Sequence, residues 1–181
     1  AERIDRLVTE LDQAVSIQNQ LLKLSIQEIN LGNLISQVEQ RFSSELQRKE
    51  INLTVDRPQQ DFALFSDKQA LTTILDQLIR FFIVFISPHG QLNLSARLAH
   101  KDSSPDYALI QWFCDHDISK QIDPSVLFSP LRQAGEESTH DRLRDRSLFE
   151  VRSLVEALGG RIWVDIEQDE RTTISLILPV I

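Results

Sequence analysis

The stretch that decides the fold is residues 147–180, SLFEVRSLVEALGGRIWVDIEQDERTTISLILPV, near the end of the 181-residue chain. Its first part places apolar residues at helical spacing, so one face of a helix is expected to be buried. Gly159 and Gly160 predict the end of that helix, because glycine adopts positive φ without strain. Two runs with apolar residues at alternate positions follow, 162–166 and 174–178. This order predicts a helix followed by a β-hairpin that packs beneath it.

The rest of the chain shows the same two kinds of apolar spacing, the helical one and the alternating one of strands. Asn30 and Asp67 each precede a long segment of helical period, and both are expected to cap the helices that follow. The pair Asp123–Pro124 is expected to open a short helix. The pattern is that of a two-layer α/β sandwich, with a mixed sheet and helices on one face. Strands are predicted near 24–29, 51–55, 62–65, 92–96 and 108–113.

Three further predictions concern the buried face of one strand and the structure of two polar segments. In the strand at 108–113, the alternating set 109, 111 and 113 is predicted to face the core, and the opposite set 108, 110 and 112 is the alternative. Residues 100–106 are polar and are predicted to form a loop between two strands. Residues 133–146 are charged, have no apolar period, and are expected to form a mobile lid.

Charge and cysteine content limit the classes of function. The formal net charge is −8, which argues against a nucleic-acid partner because phosphate binding needs clustered Lys and Arg. No apolar run approaches the roughly 18 residues of a membrane helix. Cys114 is the single cysteine, so no internal disulfide can form. We expect a cytoplasmic protein with no membrane segment in this sequence, and a membrane anchor upstream of Ala1 is compatible with that.

The final elements resemble a known family. A helix ending in Leu154-x-Glu-x-x-Gly-Gly is followed by Arg-Ile-Trp-Val, a turn, Thr172-Thr and Leu178-Pro. This order is similar to the C-terminal end of the catalytic and ATP-binding domain of bacterial sensor histidine kinases, within the superfamily of gyrase, heat-shock protein 90, histidine kinase and MutL ATPases. The resemblance covers nearly the whole chain and implies the Bergerat-type fold, itself a two-layer α/β sandwich.

Residues 1–22 are predicted to form an amphipathic helix with an apolar seam close to heptad spacing. By the resemblance this is the second helix of a dimerisation hairpin, and residues 23–181 are the ATPase-like domain. The seam implies a homodimer or a heterodimer. The alternative is that the helix docks on the surface of its own domain. The seam positions expected to carry dimerisation are Ile4, Leu7, Leu11 and Val15.

The family holds magnesium with an asparagine on the helix that starts here at Asp67, and another asparagine precedes it by one turn. Counting along this helix places Gln77 at the earlier position and Phe81 at the metal ligand. Magnesium needs hard oxygen donors in near-octahedral geometry, and phenylalanine has none. The resemblance therefore implies that the metal site is lost.

The family motif Asp-x-Gly-x-Gly, which contacts the adenine base, corresponds to the segment that begins at Asp115. The aspartate is kept, but Asp117 and Ser119 replace the glycines. The second carboxylate is expected to repel nucleotide phosphates. The phosphate-binding Gly-x-Gly before the last helix corresponds to Asp145 and Ser147, again without glycine.

Three further observations on the sequence bear on this loss. The only glycine between Asp115 and the last helix is Gly135, so no shift of register restores either glycine motif. The lid motif Phe-x-Pro-Phe is partly kept at residues 128–131. The four histidines, at 89, 100, 116 and 140, all lie outside the predicted first helix, and by the resemblance the phosphorylated histidine of the family lies on the helix that precedes Ala1.

These replacements imply a degenerate histidine-kinase-like domain, a pseudokinase without catalytic residues and with weak or absent binding of ATP and magnesium. It would act in a two-component pathway by docking a response-regulator receiver or a true kinase. One alternative is a phosphotransferase that docks a receiver and carries a histidine upstream of Ala1. Another is an active histidine kinase with an atypical pocket that retains Asp115.

Several side chains also have structural explanations. Phe81, Phe82 and Phe85 would form an exposed docking patch, a plug in the vacated pocket, or ordinary core. Asp115 and Asp117 are expected to be solvated loop carboxylates rather than an acid/base pair. Cys114 and His116 alone make no tetrahedral metal site, so no metal is expected there.

Overall fold

The computed structural model describes residues 24–57, 62–101, 104–116, 118–120, 123–128, 148–167 and 171–180. The predicted dimerisation seam in residues 1–22 and the predicted lid at 133–146 lie outside the described residues.

The described chain alternates strands and helices as the periodicity predicted. The helices are α1 (Leu31–Arg48), α2 (Lys68–Phe85) and α3 (Phe149–Ala157), with short 3-10 turns at Ile118–Lys120 and Pro124–Val126. The strands are β1 (Ile26–Asn30), β2 (Asn52–Asp56), β3 (Ala63–Asp67), β4 (Gln91–Lys101), β5 (Ser104–Cys114), β6 (Arg161–Ile166) and β7 (Thr172–Pro179).

Five strands form one mixed sheet in the order β2-β4-β5-β7-β6. Strands β2 and β4 are parallel, and every other neighbouring pair in this sheet is antiparallel. Strands β1 and β3 pair antiparallel in a separate two-stranded ribbon. The sheet confirms the predicted mixed α/β fold, and the ribbon shows that the first and third strands do not extend it.

Side-chain caps fix the starts of α1 and α2. The Asn30 side chain accepts a hydrogen bond from the Asn33 amide at 2.9 Å, and Asp67 accepts one from the Ala70 amide at 2.7 Å. Each bond satisfies one of the amide groups that a helix start leaves unpaired. Both predicted caps are confirmed, as is the Asp123 cap on the short helix after it.

The core lies between the helices and one face of the sheet. The register aligns Leu94, Trp112 and Ile174 across three neighbouring strands, and all three are buried. In β5 the buried set is therefore 108, 110 and 112, so the first prediction of 109, 111 and 113 is wrong and the alternative is confirmed. Residues on the opposite face, such as Ser95 and Leu109, are only partly buried. The domain thus has two layers.

The hairpin between β4 and β5 is tighter than predicted. The expected loop at 100–106 is wrong, because β4 continues to Lys101 and β5 begins at Ser104. Lys101 pairs with Ser104, after a register irregularity between Ala99 and Lys101. Polar residues at a sheet end still form backbone ladder bonds, so polarity alone did not mark the turn.

The end of α3 depends on two glycines, as predicted. Gly159 has φ of +77°, a conformation that side chains other than glycine rarely adopt. A Cβ on Gly160 would collide with the Ile177 carbonyl oxygen of β7 and would come within 2.8 Å of Leu178 Cδ2. Only glycine lets the chain turn this closely from α3 into β6.

None of the helices in the described part of the chain is both long and apolar enough to cross a membrane.

Candidate functional site

The two positions that correspond to the family's asparagines lie one turn apart on α2. The Gln77 side chain donates a hydrogen bond from Nε2 to Glu150 Oε2 at 2.7 Å. Glu150 lies in the first turn of α3. The bond therefore ties the middle of α2 to the start of α3, and it occupies the amide that stands at the earlier asparagine position.

Phe81 lies in the core and not on the surface. Its exposed fraction is 0%, and its ring centroid lies 4.6 Å from that of Phe85 and 5.6 Å from that of Phe82. Phe82 in turn stacks on Trp112 of β5 at 6.1 Å. The hypothesis of an exposed docking patch is wrong for these phenylalanines, because all of them are buried. At the position that the resemblance assigns to the metal ligand, this chain has a buried aromatic cluster.

Trp112 adds a polar group to this cluster. Its side chain is fully buried, and its Nε1 has no hydrogen-bond partner among the described residues. A buried donor without a partner costs roughly 1–3 kcal/mol. Trp112 therefore stacks on Phe82 while its Nε1 group has no hydrogen-bond partner among the described residues.

Asp115, the retained aspartate of the base-contacting motif, lies directly after β5. Its Oδ1 accepts a hydrogen bond from the Gln91 amide at 3.3 Å, and the same oxygen lies 3.6 Å from His116 Nδ1. His116 Nε2 is 2.9 Å from Ser87 Oγ. The Asp115 side chain is half exposed. These contacts join the end of β5 to the turn between α2 and β4, and Asp115 helps to hold that turn.

Thr172 on β7 fixes the backbone that follows Asp115. Its hydroxyl donates to the His116 carbonyl oxygen at 2.6 Å and accepts from the Ile118 amide at 3.2 Å. Thr172 is fully buried. Sequence analysis assigned it no role, although a polar residue at an inward position of an apolar strand is a signal for such a bond.

Cys114 is a buried thiol rather than a reactive one. Burial raises its pKa to about 11, and the negative charge of Asp115 also raises the pKa. A thiolate is the form that attacks electrophiles and binds metals, so this side chain is inert near neutral pH. Within the ranges that the structure describes, no three or more His, Cys, Asp or Glu side chains form a group able to hold a metal ion.

The start of α3 corresponds to the phosphate cradle of the family. Leu148 at the N-cap position makes no capping hydrogen bond with its side chain, and Glu150 places a carboxylate in the first turn of the helix. The positive end of the helix dipole favours an anion there, and the Glu150 carboxylate is such an anion. Leu148 N donates to the Leu127 carbonyl at 3.0 Å, which holds the segment 123–128 against the helix start.

The structure brings some of the predicted positions together and leaves others outside its description. Gln77 lies against the start of α3, whereas Asp115 is held by the α2–β4 turn. Ser119 lies in a 3-10 turn. Asp117, Asp145, Ser147 and residues 129–131 of the partly kept lid motif lie outside the described residues. Sequence analysis missed Glu150. The one feature that could have pointed to it is its place as an acidic residue in the first turn of a predicted helix.

Comparison with curated proteins finds sensory kinases. The chain is 24% identical over 177 residues to the adaptive-response sensory kinase SasA of Synechococcus elongatus, covering 98% of this chain and 44% of that protein. It is 23% identical over 179 residues to SasA of Crocosphaera subtropica, covering 98% and 45%. The chain thus spans less than half the length of these relatives. No protein-family model matches it.

Solved structures with a similar fold include histidine kinases. AdeS of Acinetobacter baumannii aligns with a TM-score of 0.67 and 16% identity, covering 99% of this chain and 79% of that one. A nucleotide-free catalytic domain of ThkA gives 0.69 and 16%, covering 86% and 97%. ThkA in complex with the response regulator protein TrrA gives 0.70 and 17%, covering 100% and 51%.

These likenesses confirm the fold class and the resemblance that the terminal motifs indicated. The mixed five-stranded sheet with its helices is the fold of histidine kinase catalytic domains.

Proposed function

We propose that this histidine-kinase-like domain is a pseudokinase, which works in signal transduction by docking other proteins and does not bind Mg-ATP productively. The observation that carries the proposal is the environment of Phe81. Its ring is fully buried against Phe85 and Phe82, at the position where the family presents a magnesium ligand. A metal bound there would meet hydrocarbon instead of the oxygen donors that magnesium requires.

Charge at the start of α3 supports the same proposal. Glu150 is placed in the first helical turn and accepts the hydrogen bond from Gln77. A nucleotide phosphate approaching this end of the helix would meet a carboxylate, and like charges close together repel each other. Phosphate binding would also have to break the bond between Gln77 and Glu150.

Calorimetric titration with a non-hydrolysable ATP analogue, with and without magnesium, tests the loss of nucleotide binding. We expect no heat of binding up to about millimolar nucleotide, which corresponds to a binding free energy weaker than about −4 kcal/mol. Glu150→Gln removes the charge with little change of shape and serves as the matched variant. Micromolar binding that strengthens with magnesium in the unmodified chain would overturn the proposal and favour an active kinase with an atypical site.

We propose a response-regulator receiver domain or a true histidine kinase as the docking partner. Support comes from the ThkA structure with the response regulator protein TrrA, whose kinase chain shares the present fold. The free, buried Cys114 thiol supports a reducing, cytoplasmic setting. Titration of purified receiver and kinase domains from the source organism against the full chain tests this, and saturable micromolar binding of one of them is expected.

A further inference from the structure

Strand β6 forms one edge of the five-stranded sheet. The sheet order places β7 on one side of it, and among the described residues no other strand pairs with its opposite side. Its register with β7 runs without a bulge from Arg161 to Ile166. This edge therefore leaves a continuous row of backbone donors and acceptors available to another strand.

The hairpin shows which residues of β6 turn their backbone groups outward. Glu167 N donates to the Arg171 carbonyl oxygen at 2.9 Å, so the Glu167 backbone faces the β7 side of the hairpin. Residues of an antiparallel pair alternate between facing the neighbouring strand and facing away from it. The backbone groups of Ile162, Val164 and Ile166 therefore point out of the sheet edge, where an incoming extended segment would bond to them.

Side chains at the alternate positions give this edge a charge pattern. Arg161, Trp163 and Asp165 are exposed on the face of the sheet away from the helices. Trp163 Nε1 donates to Asp165 Oδ2 at 2.8 Å. Arg161 has no ion-pair partner in the part of the chain that the structure describes. The edge thus presents a cation near its start and a carboxylate near its end, with an aromatic ring between them.

We propose that the β6 edge binds an extended segment of a partner protein, antiparallel to β6, with a basic residue opposite Asp165, an apolar residue opposite Trp163 and an acidic residue opposite Arg161. Opposite charges directly across paired strands stabilise the pair, and like charges destabilise it. Main-chain bonds to the outward row supply affinity, and the side-chain pairs supply direction and specificity. The inference rests on the proposed docking function, because it names a surface and a partner chemistry for it.

A second copy of the chain is the alternative occupant, because an antiparallel β6 would also place Asp165 opposite Arg161. The formal net charge of −8 opposes that pairing, since two acidic domains brought edge to edge repel each other. A partner segment with one basic and one acidic residue is neutral and meets no such repulsion. The charge of the domain therefore favours a partner segment.

Two synthetic peptides with blocked ends, TKVYVET and the charge-reversed TEVYVKT, test the pairing with the full chain. The measurement is hydrogen exchange of backbone amides by NMR. With TKVYVET at about four times its Kd, exchange at Ile162, Val164 and Ile166 should slow about fivefold, because bound amides are protected by one plus the ratio of peptide concentration to Kd. TEVYVKT at the same concentration should slow it less than about twofold, because it places like charges opposite each other.

The other free edge of the sheet supplies the matched control. Asn52 N donates to the Gly90 carbonyl oxygen at 3.0 Å, so alternation turns the amides of Leu53 and Val55 outward on β2. Strand β2 carries no cation that corresponds to Arg161. Neither peptide should change exchange at these two amides.

The double variant Arg161→Glu with Asp165→Lys, which changes only exposed side chains, should invert the preference between the two peptides. No slowing with either peptide, equal slowing with both, or an unchanged preference in the double variant would overturn the proposal. Slowing that grows with protein concentration without peptide would show that a second copy pairs there, which also overturns it. The test uses no nucleotide and no receiver domain, so these outcomes leave the proposed loss of nucleotide binding in place.

Discussion

Single residues that the resemblance assigns to the nucleotide site have structural partners in this chain. Phe81 packs against Phe85, Gln77 bonds to Glu150, and Asp115 accepts a bond from the Gln91 amide. Each contact is ordinary for a folded core or turn, and none of them needs a ligand. The same side chains that interrupt the family's motifs therefore contribute to the stability of the domain.

A titration at the residue scale is expected for Cys114. Burial raises the pKa of this thiol from 9.0 to about 11, so folding favours the protonated form. The resulting contribution to the free energy of unfolding is complete below pH 9 and is lost as the pH rises from 9 to about 11. Urea unfolding at pH 8, 9.5 and 10.5 should show this decrease.

The control is Cys114→Ala, which has no group to titrate. Its stability should fall less over the same pH interval, after correction for the constant cost of the smaller side chain. Identical pH profiles for the two proteins would contradict the raised pKa.

At the scale of elements, hydrogen bonds add to the apolar packing that places α3 against α2. The bond from Gln77 to Glu150 links residues that are 73 positions apart in sequence, and both side chains are partly buried. Leu148 meanwhile bonds to Leu127 just before α3 begins. These two bonds hold the start of α3 against the rest of the domain.

A double-mutant cycle with Gln77→Ala and Glu150→Ala measures this link. We expect a coupling free energy of about 1 kcal/mol in urea unfolding, because a partly buried hydrogen bond to a charged group is worth more than an exposed pair. The matched control is the pair Arg152 and Glu156 on α3, at 2.7 Å with both side chains about half exposed. Its coupling should be only about 0.3–0.5 kcal/mol. Equal coupling in the two cycles would argue against the helix link.

For the whole molecule, the domain presents a covered sheet face, an open sheet face, and a ribbon beside the point where residues 1–23 join it. The helices cover the face that carries Leu94 and Trp112. The predicted seam of residues 1–22 then provides the means by which two such domains would associate. By this prediction, assembly would depend on the leading segment and not on the sheet.

Leu11→Asp tests that assembly. The substitution places a charge in the apolar seam, so we expect a dimer of the unmodified chain to become a monomer. Light scattering after size-exclusion chromatography gives the mass directly. Glu10→Gln, one residue away and outside the seam, should remain dimeric. A monomeric mass for the unmodified chain at tens of micromolar would show that the dimerisation prediction is wrong.

Sequence reasoning succeeded where a local period or a cap determines the outcome. Asn30 and Asp67 were predicted as caps because a cap depends on neighbours in sequence. The buried face of β5 was first assigned to the wrong side, because Leu109 and Phe113 on one side are as apolar as Ile110 on the other. Only the packing of the helices against the sheet decides between them.

The same limit applies to the candidate site. The family positions Gln77 and Phe81 were found by counting along a helix. Glu150 was missed because its role depends on a partner in another helix, and no local pattern records that contact. The short β4–β5 hairpin was missed because backbone pairing continues through polar residues.

The aromatic cluster around Phe81 also bears on how such a domain changes over evolutionary time. Asparagine at this position would place an amide between Phe82 and Phe85 and would remove most of a buried ring. Truncating a buried phenylalanine costs about 3–5 kcal/mol, against a total stability of about 5–15 kcal/mol for a typical domain. A lineage would need compensating changes in the neighbouring rings before a polar side chain could be accepted at position 81. A single substitution to such a residue is therefore opposed by the core itself, whatever selection acts on the rest of the domain.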